Sequence, residues 1–109
     1  MSPARKFRSG DIYDAGLHAS ANGAIEYRSD AFGGKLKDKL LVVRYSAGKD
    51  IEVVDTNGPD GSVQGIATGV TGFSGFIEPL DIVEHPSGNG VLYVTELGGQ
   101  RITLLRPAT

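Results

Sequence analysis

Residues 40–54, LLVVRYSAGKDIEVV, recur about 51 residues later as VLYVTELGGQRITLL at 91–105, in register and without a gap. Leu41 aligns with Leu92, Val43 with Val94, Gly48 with Gly99, Ile51 with Ile102 and Val53 with Leu104. Each copy is an apolar, β-branched run, a glycine-containing turn and a second alternating run. That order predicts a β-hairpin. Hairpins repeated at a period of about 40–50 residues are the pattern of propeller blades.

The rest of the chain fits an all-β reading. The 16 glycines fall between apolar runs and mark tight turns. No helical periodicity of useful length occurs. Strands are predicted at 24–28, 40–45, 51–55 and 62–68 in the first unit, and at 80–84, 91–97 and 101–106 in the second. Residues 1–10 read as a flexible lead with a short edge strand at Lys6–Phe7, and Asp11–Leu17 as a weak strand. In 56–61, TNGPDG, three turn dipeptides follow one another. Asp55, Asn57 and Asp60 beside them have the wrong spacing for a calcium loop and read as part of the turn.

Blade one therefore spans about 18–69 and blade two about 78–106, the latter lacking an outer strand that Asp11–Leu17 is placed to supply. Two blades do not close a ring, since closed propellers have about four to eight. Head-to-tail association of identical chains is the symmetry that closes one, and a trimer gives six blades. The expected partner is thus the chain itself.

Composition removes several functions. The net charge of −2, from 11 basic and 13 acidic side chains, gives no attraction to nucleic acid or an anionic membrane. The chain has no cysteine, and so no disulfide, thiolate metal site or cysteine nucleophile. No apolar run approaches the ~18 residues of a membrane span. The basic N-terminus lacks the apolar stretch of a secretory signal, so a complete chain is expected in the cytoplasm, and a fragment of a longer protein in the periplasm or outside the cell.

His18, Ser20, Gly23 and Tyr27, followed by Lys37-Asp38 before Leu40, resemble the penultimate blade of the glucose/sorbosone dehydrogenase family. These are six-bladed propellers that use pyrroloquinoline quinone. Pro79–Pro107 is similar to the last blade of that family and to related NHL-type blades. The resemblance implies a six-bladed ring and a ligand near its axis. Ala21 and Asp38 stand where the family has Pro and Gly. Pro79-Leu80-Asp81 stands where its cofactor-facing arginines fall, so the quinone is not expected here.

In a propeller, ligands gather around the axis on the face carrying the D-to-A and B-to-C connections. Here that face would hold His18, Ser20, Asn22, the loop 69–79 and the turns 46–49 and 97–100. His18 is the candidate ligand or general base; a turn histidine bonded to backbone is the competing reading. Repeated around an axis, His18 with Glu78 and Asp81 would supply a divalent metal site for calcium or zinc, although both acids read more readily as solvated charges. Ser20, Asn22 and Arg44 are candidate ligand contacts, with Arg44 also placed to pair with Glu96 across blades. Phe73 and Phe76 form either a stacking wall for a small-molecule ligand or a plug between blades. His85, on the opposite face, reads as structural.

Three functions stay open on this evidence. One is a truncated sugar-dehydrogenase-like module that binds a small polar ligand or metal at the ring axis. Another is a metal-dependent hydrolase of esters, lactones or phosphoesters. The third is a non-catalytic binding module.

Overall fold

Alternating apolar and polar side chains build two antiparallel meanders. The structure, a computed structural model, describes residues 21–46, 48–58, 62–87 and 89–107. Among these the strands are β1 (Ala21–Glu26), β2 (Leu40–Arg44), β3 (Asp50–Asp55), β4 (Gly65–Ala67), β5 (Pro79–Glu84), β6 (Leu92–Glu96) and β7 (Arg101–Leu105). A 3-10 turn at Phe32–Gly34 lies between β1 and β2. The first sheet runs β1-β2-β3-β4 and the second β5-β6-β7. The protein is all-β among the described residues, with one sheet from its first half and one from its second. The lead, the strands predicted at Lys6–Phe7 and Asp11–Leu17, His18, Ser20 and Asp60 lie outside the described residues.

Strand limits shift for local reasons. β1 starts at Ala21 rather than Ala24 because Ala21 pairs with Arg44, and an irregularity between Ala21 and Ala24 absorbs Asn22 and Gly23. β4 is shorter than predicted. The Gly58 N–H donates to the Ser62 carbonyl at 3.0 Å, which keeps Ser62 in the turn. Asp55 shapes the same turn: its carboxylate accepts from the Asn57 N–H at 2.9 Å and the Gln64 amide at 3.1 Å. Those bonds, the Asn57 backbone contact first, hold the Asp55 carboxyl below its usual value.

The sheets pack through β1 and β2 against β5. Ile25, Leu41 and Val53 are register partners facing this seam, as are Val43 and Ile51. Across from them stand Ile82, Leu92 and Val94. Each such side chain, fully buried, contributes about 1.5–3 kcal/mol. Phe73 and Phe76 are buried in the same cluster. The Phe73 carbonyl accepts from the Ile51 N–H at 2.8 Å, and the Phe76 N–H donates to the Lys49 carbonyl at 3.2 Å. The two rings are 4% and 6% exposed, packed in the core cluster. Tyr27, wholly buried, donates its hydroxyl to the Gly90 carbonyl at 2.7 Å, tying the end of β1 to the β5–β6 turn. Burial, more than its hydrogen bonds or the nearby Glu84, pushes the Tyr27 hydroxyl above its usual pKa.

The two repeats part company at their hairpins. β2 and β3 close at Arg44 opposite Asp50, leaving a five-residue turn, 45–49. β6 and β7 close at Glu96 opposite Arg101, leaving a four-residue turn, 97–100. With the first hairpin's register, the alignment would set Leu92 opposite Leu104; the structure pairs Leu92 with Leu105 and Tyr93 with Leu104. A slip of one residue sends every side chain of the strand to the other face. Ile51 and Val53 are 0% and 6% exposed, whereas their sequence counterparts Ile102 and Leu104 are 69% and 42% exposed.

An ion pair pins each register. Arg44 grips Asp50 with two bonds of 2.7 Å and reaches Glu52 at 3.7 Å. Glu96, 1% exposed, accepts from Arg101 at 3.0 and 3.1 Å, from the Ile77 N–H at 2.7 Å and from the Thr103 hydroxyl. The expected pairing of Arg44 with Glu96 across blades is thus replaced by a pair inside each hairpin. A charge-assisted bond across a closing strand pair satisfies both partners over a shorter reach.

Candidate functional site

β1 and β5 are the first strands of their sheets, and they lie side by side in the same direction. At one end Gly23 abuts Asp81: a Cβ on Gly23 would lie 2.8 Å from the Asp81 Cα, so this close approach needs glycine. At the other end, both oxygens of the Glu84 carboxylate accept backbone N–H groups beyond β1, from Arg28 at 2.8 Å and Ser29 at 3.1 Å. One seam therefore gathers Asn22 and Asp81 at its start and Glu26, Arg28, Glu84 and His85 at its finish.

The expected site residues divide along this frame. Asn22 is exposed at the bulged start of β1, in a strand rather than a free turn. Asp81 is exposed beside Gly23 and turns one carboxylate oxygen onto the Ile82 N–H at 2.8 Å. Glu78 is half-buried in the left-handed region, at φ 52°. The Glu78 carboxylate meets Tyr45, whose hydroxyl is pushed above its usual pKa first by burial and then by the charge of Glu78. Among the described residues no group of three or more His, Asp or Glu side chains is placed to hold a metal ion. Arg44 closes its own hairpin through its pair with Asp50.

Where β1 and β5 end, the seam opens into a cleft of about 420 Å³ lined by Ile25, Glu26, Arg28, Val83, Glu84, His85 and Pro86. Its apolar part is Ile25, Val83 and Pro86. Arg28 and Glu26 pair at 3.3 Å with largely exposed side chains. The His85 ring accepts the Ser87 N–H on Nδ1 at 3.0 Å, lies 2.8 Å from the Ser87 hydroxyl, and tilts against Tyr93 at 6.0 Å between centroids. With Nδ1 accepting, a neutral ring carries its proton on Nε2. His85 thus has the local structural bonds expected of it and also faces a cavity.

Glu26, Arg28 and Glu84 were not expected at a site. No local pattern marks them: they come together only where β1 and β5 lie side by side. Comparison with protein-family models, with curated proteins and with solved structures gives no match. Among the described residues no helix is long and apolar enough to cross a membrane.

Proposed function

We propose that the protein is a two-blade β-propeller unit that self-associates head to tail, three copies making a six-bladed ring, and that it binds a small polar ligand on the seam facing the ring axis. The observation that carries this reading is the outer face of the second sheet. Val83, Tyr93 and Leu104 form one cross-strand row on that face, and Ile102 lies in the next row, opposite Thr95. Ile102 and Leu104, 69% and 42% exposed, present an apolar stripe to solvent.

Such a stripe is the mark of an interaction surface. The first sheet offers a matching row on its own outer face. Leu40, Val54 and Ile66 are register partners there, with Val42 alongside. Val54 is buried and the other three are half-buried. Sheet stacking of this kind already joins the two halves of one chain, and a heterologous contact repeated by rotation closes a ring. In that ring β1 and β5, the first strands, line the axis. This agrees with the resemblance to sugar-dehydrogenase blades, while the seam residues support binding more than they support metal-assisted hydrolysis.

Light scattering on a sizing column tests the assembly. The expected mass is three times the 11.5 kDa of one chain. A folded species at one chain mass over micromolar concentrations contradicts the ring.

A further inference from the structure

We propose that the cleft at the end of the β1–β5 seam binds a small carboxylate-bearing molecule with a short apolar body. The inference deepens the ligand-binding reading above and does not require the ring. A cleft of about 420 Å³ lies within the usual size of small-molecule sites.

Its chemistry follows from which lining groups are already committed. Glu84 spends both carboxylate oxygens on backbone N–H groups, so it is wall rather than ligand. His85 spends Nδ1 on the Ser87 N–H and retains Nε2–H as a donor. The Arg28 guanidinium is held by Glu26 at 3.3 Å, in a pair whose side chains are 80% and 46% exposed. Exposed pairs of this kind are weak, so a ligand readily takes the place of Glu26. A guanidinium fork matches a carboxylate in two parallel hydrogen bonds. The lining of the cleft thus includes a guanidinium fork and a second donor beside the apolar Ile25, Val83 and Pro86, which suit a branched or ring-bearing body.

Three probes of one shape separate the possibilities: 3-methylbutanoate, 3-methylbutanamide and 3-methylbutylammonium. They are titrated into the full chain while amide and histidine-ring NMR shifts are followed. The carboxylate is expected to move the Arg28, Ser29, His85 and Ser87 signals saturably, at millimolar affinity, with the other two weaker by about tenfold. Arg28→Gln is expected to weaken carboxylate binding by about tenfold, with Arg28→Lys in between. Glu26→Gln is expected to tighten it by about threefold, since a competing charge is removed. Equal binding of the amide, tighter binding of the ammonium, or shifts that do not saturate overturn the assignment. The mass in solution is read separately, so loss of this site and loss of the ring are distinguishable.

Discussion

The first and second hairpins share a sequence pattern but not a fate. In the first, Ile51 and Val53 on the returning strand point into the seam between the sheets; in the second, Ile102 and Leu104 point out of it. The difference is one residue of turn, set by which side chains close the hairpin. Arg44 and Asp50 close the first, and the second repeat has Thr95 and Arg101 at those aligned positions. Arg101 reaches Glu96 instead, one residue further on, and Glu96 also collects the Ile77 N–H and the Thr103 hydroxyl. In this register the buried Glu96 carboxylate has its donors and Leu105 packs beside the core in place of the two exposed aliphatic side chains. A hydrophobic pattern thus fixes that a strand forms, while a polar anchor decides which face it shows.

The largest test of this contrast is a charge in each returning strand. Ile51→Asp is expected to abolish cooperative unfolding by circular dichroism, because an unpaired charge would sit at a fully buried position. Ile102→Asp is expected to leave the fold of the chain intact and to lower only its mass in solution. Equal loss of structure in both variants breaks the contrast.

Glu96→Gln comes next, with an expected loss of about 2 kcal/mol in denaturant unfolding as buried donors lose a charged acceptor. The pH dependence follows from the same group. The Arg101 hydrogen bond, helped by Thr103 and the Ile77 N–H against the cost of burial, lowers the Glu96 pKa from 4.5 to about 2. A carboxyl with a depressed folded-state pKa contributes stability that is complete above its unfolded value and is lost as pH falls through the folded one. The protein is therefore expected to lose stability between about pH 4.5 and pH 2, and Glu96→Gln to flatten that part of the profile.

Gly23→Ala is expected to cost about 1–3 kcal/mol, since its methyl would push β1 away from Asp81. A thermal melt unchanged within error would mean that the seam tolerates separation. Smallest is Ile102→Ser, expected to change the stability of the isolated chain by less than about 0.5 kcal/mol. A larger loss at dilution below any assembly would show that Ile102 is buried within one chain after all.

Much of the fold could be read from the sequence because period-two alternation and glycine-rich turns are local. β2, β3, β6 and β7 each lie within a residue or so of their predicted limits for that reason. The facing of β7 could not be read so, because it depends on Ile77 and Thr103 meeting Glu96, contacts that no local pattern encodes. The site was harder still. Phe73 and Phe76 sit in a loop between glycines and look available, yet their backbones bond to Ile51 and Lys49 and draw the rings into the core. Arg28 and Glu84 look like ordinary outward charges until β1 and β5 are set side by side.

The most direct measurement is the set of cross-strand Hα–Hα contacts between β6 and β7 by NMR. The structure predicts contacts between directly opposed residues in the observed register, Tyr93 with Leu104 and Thr95 with Ile102, or the alternate pairs Leu92 with Leu105 and Val94 with Thr103. Contacts joining Leu92 to Leu104 and Val94 to Ile102 would restore the register of the first hairpin, bury the outer stripe and contradict the account.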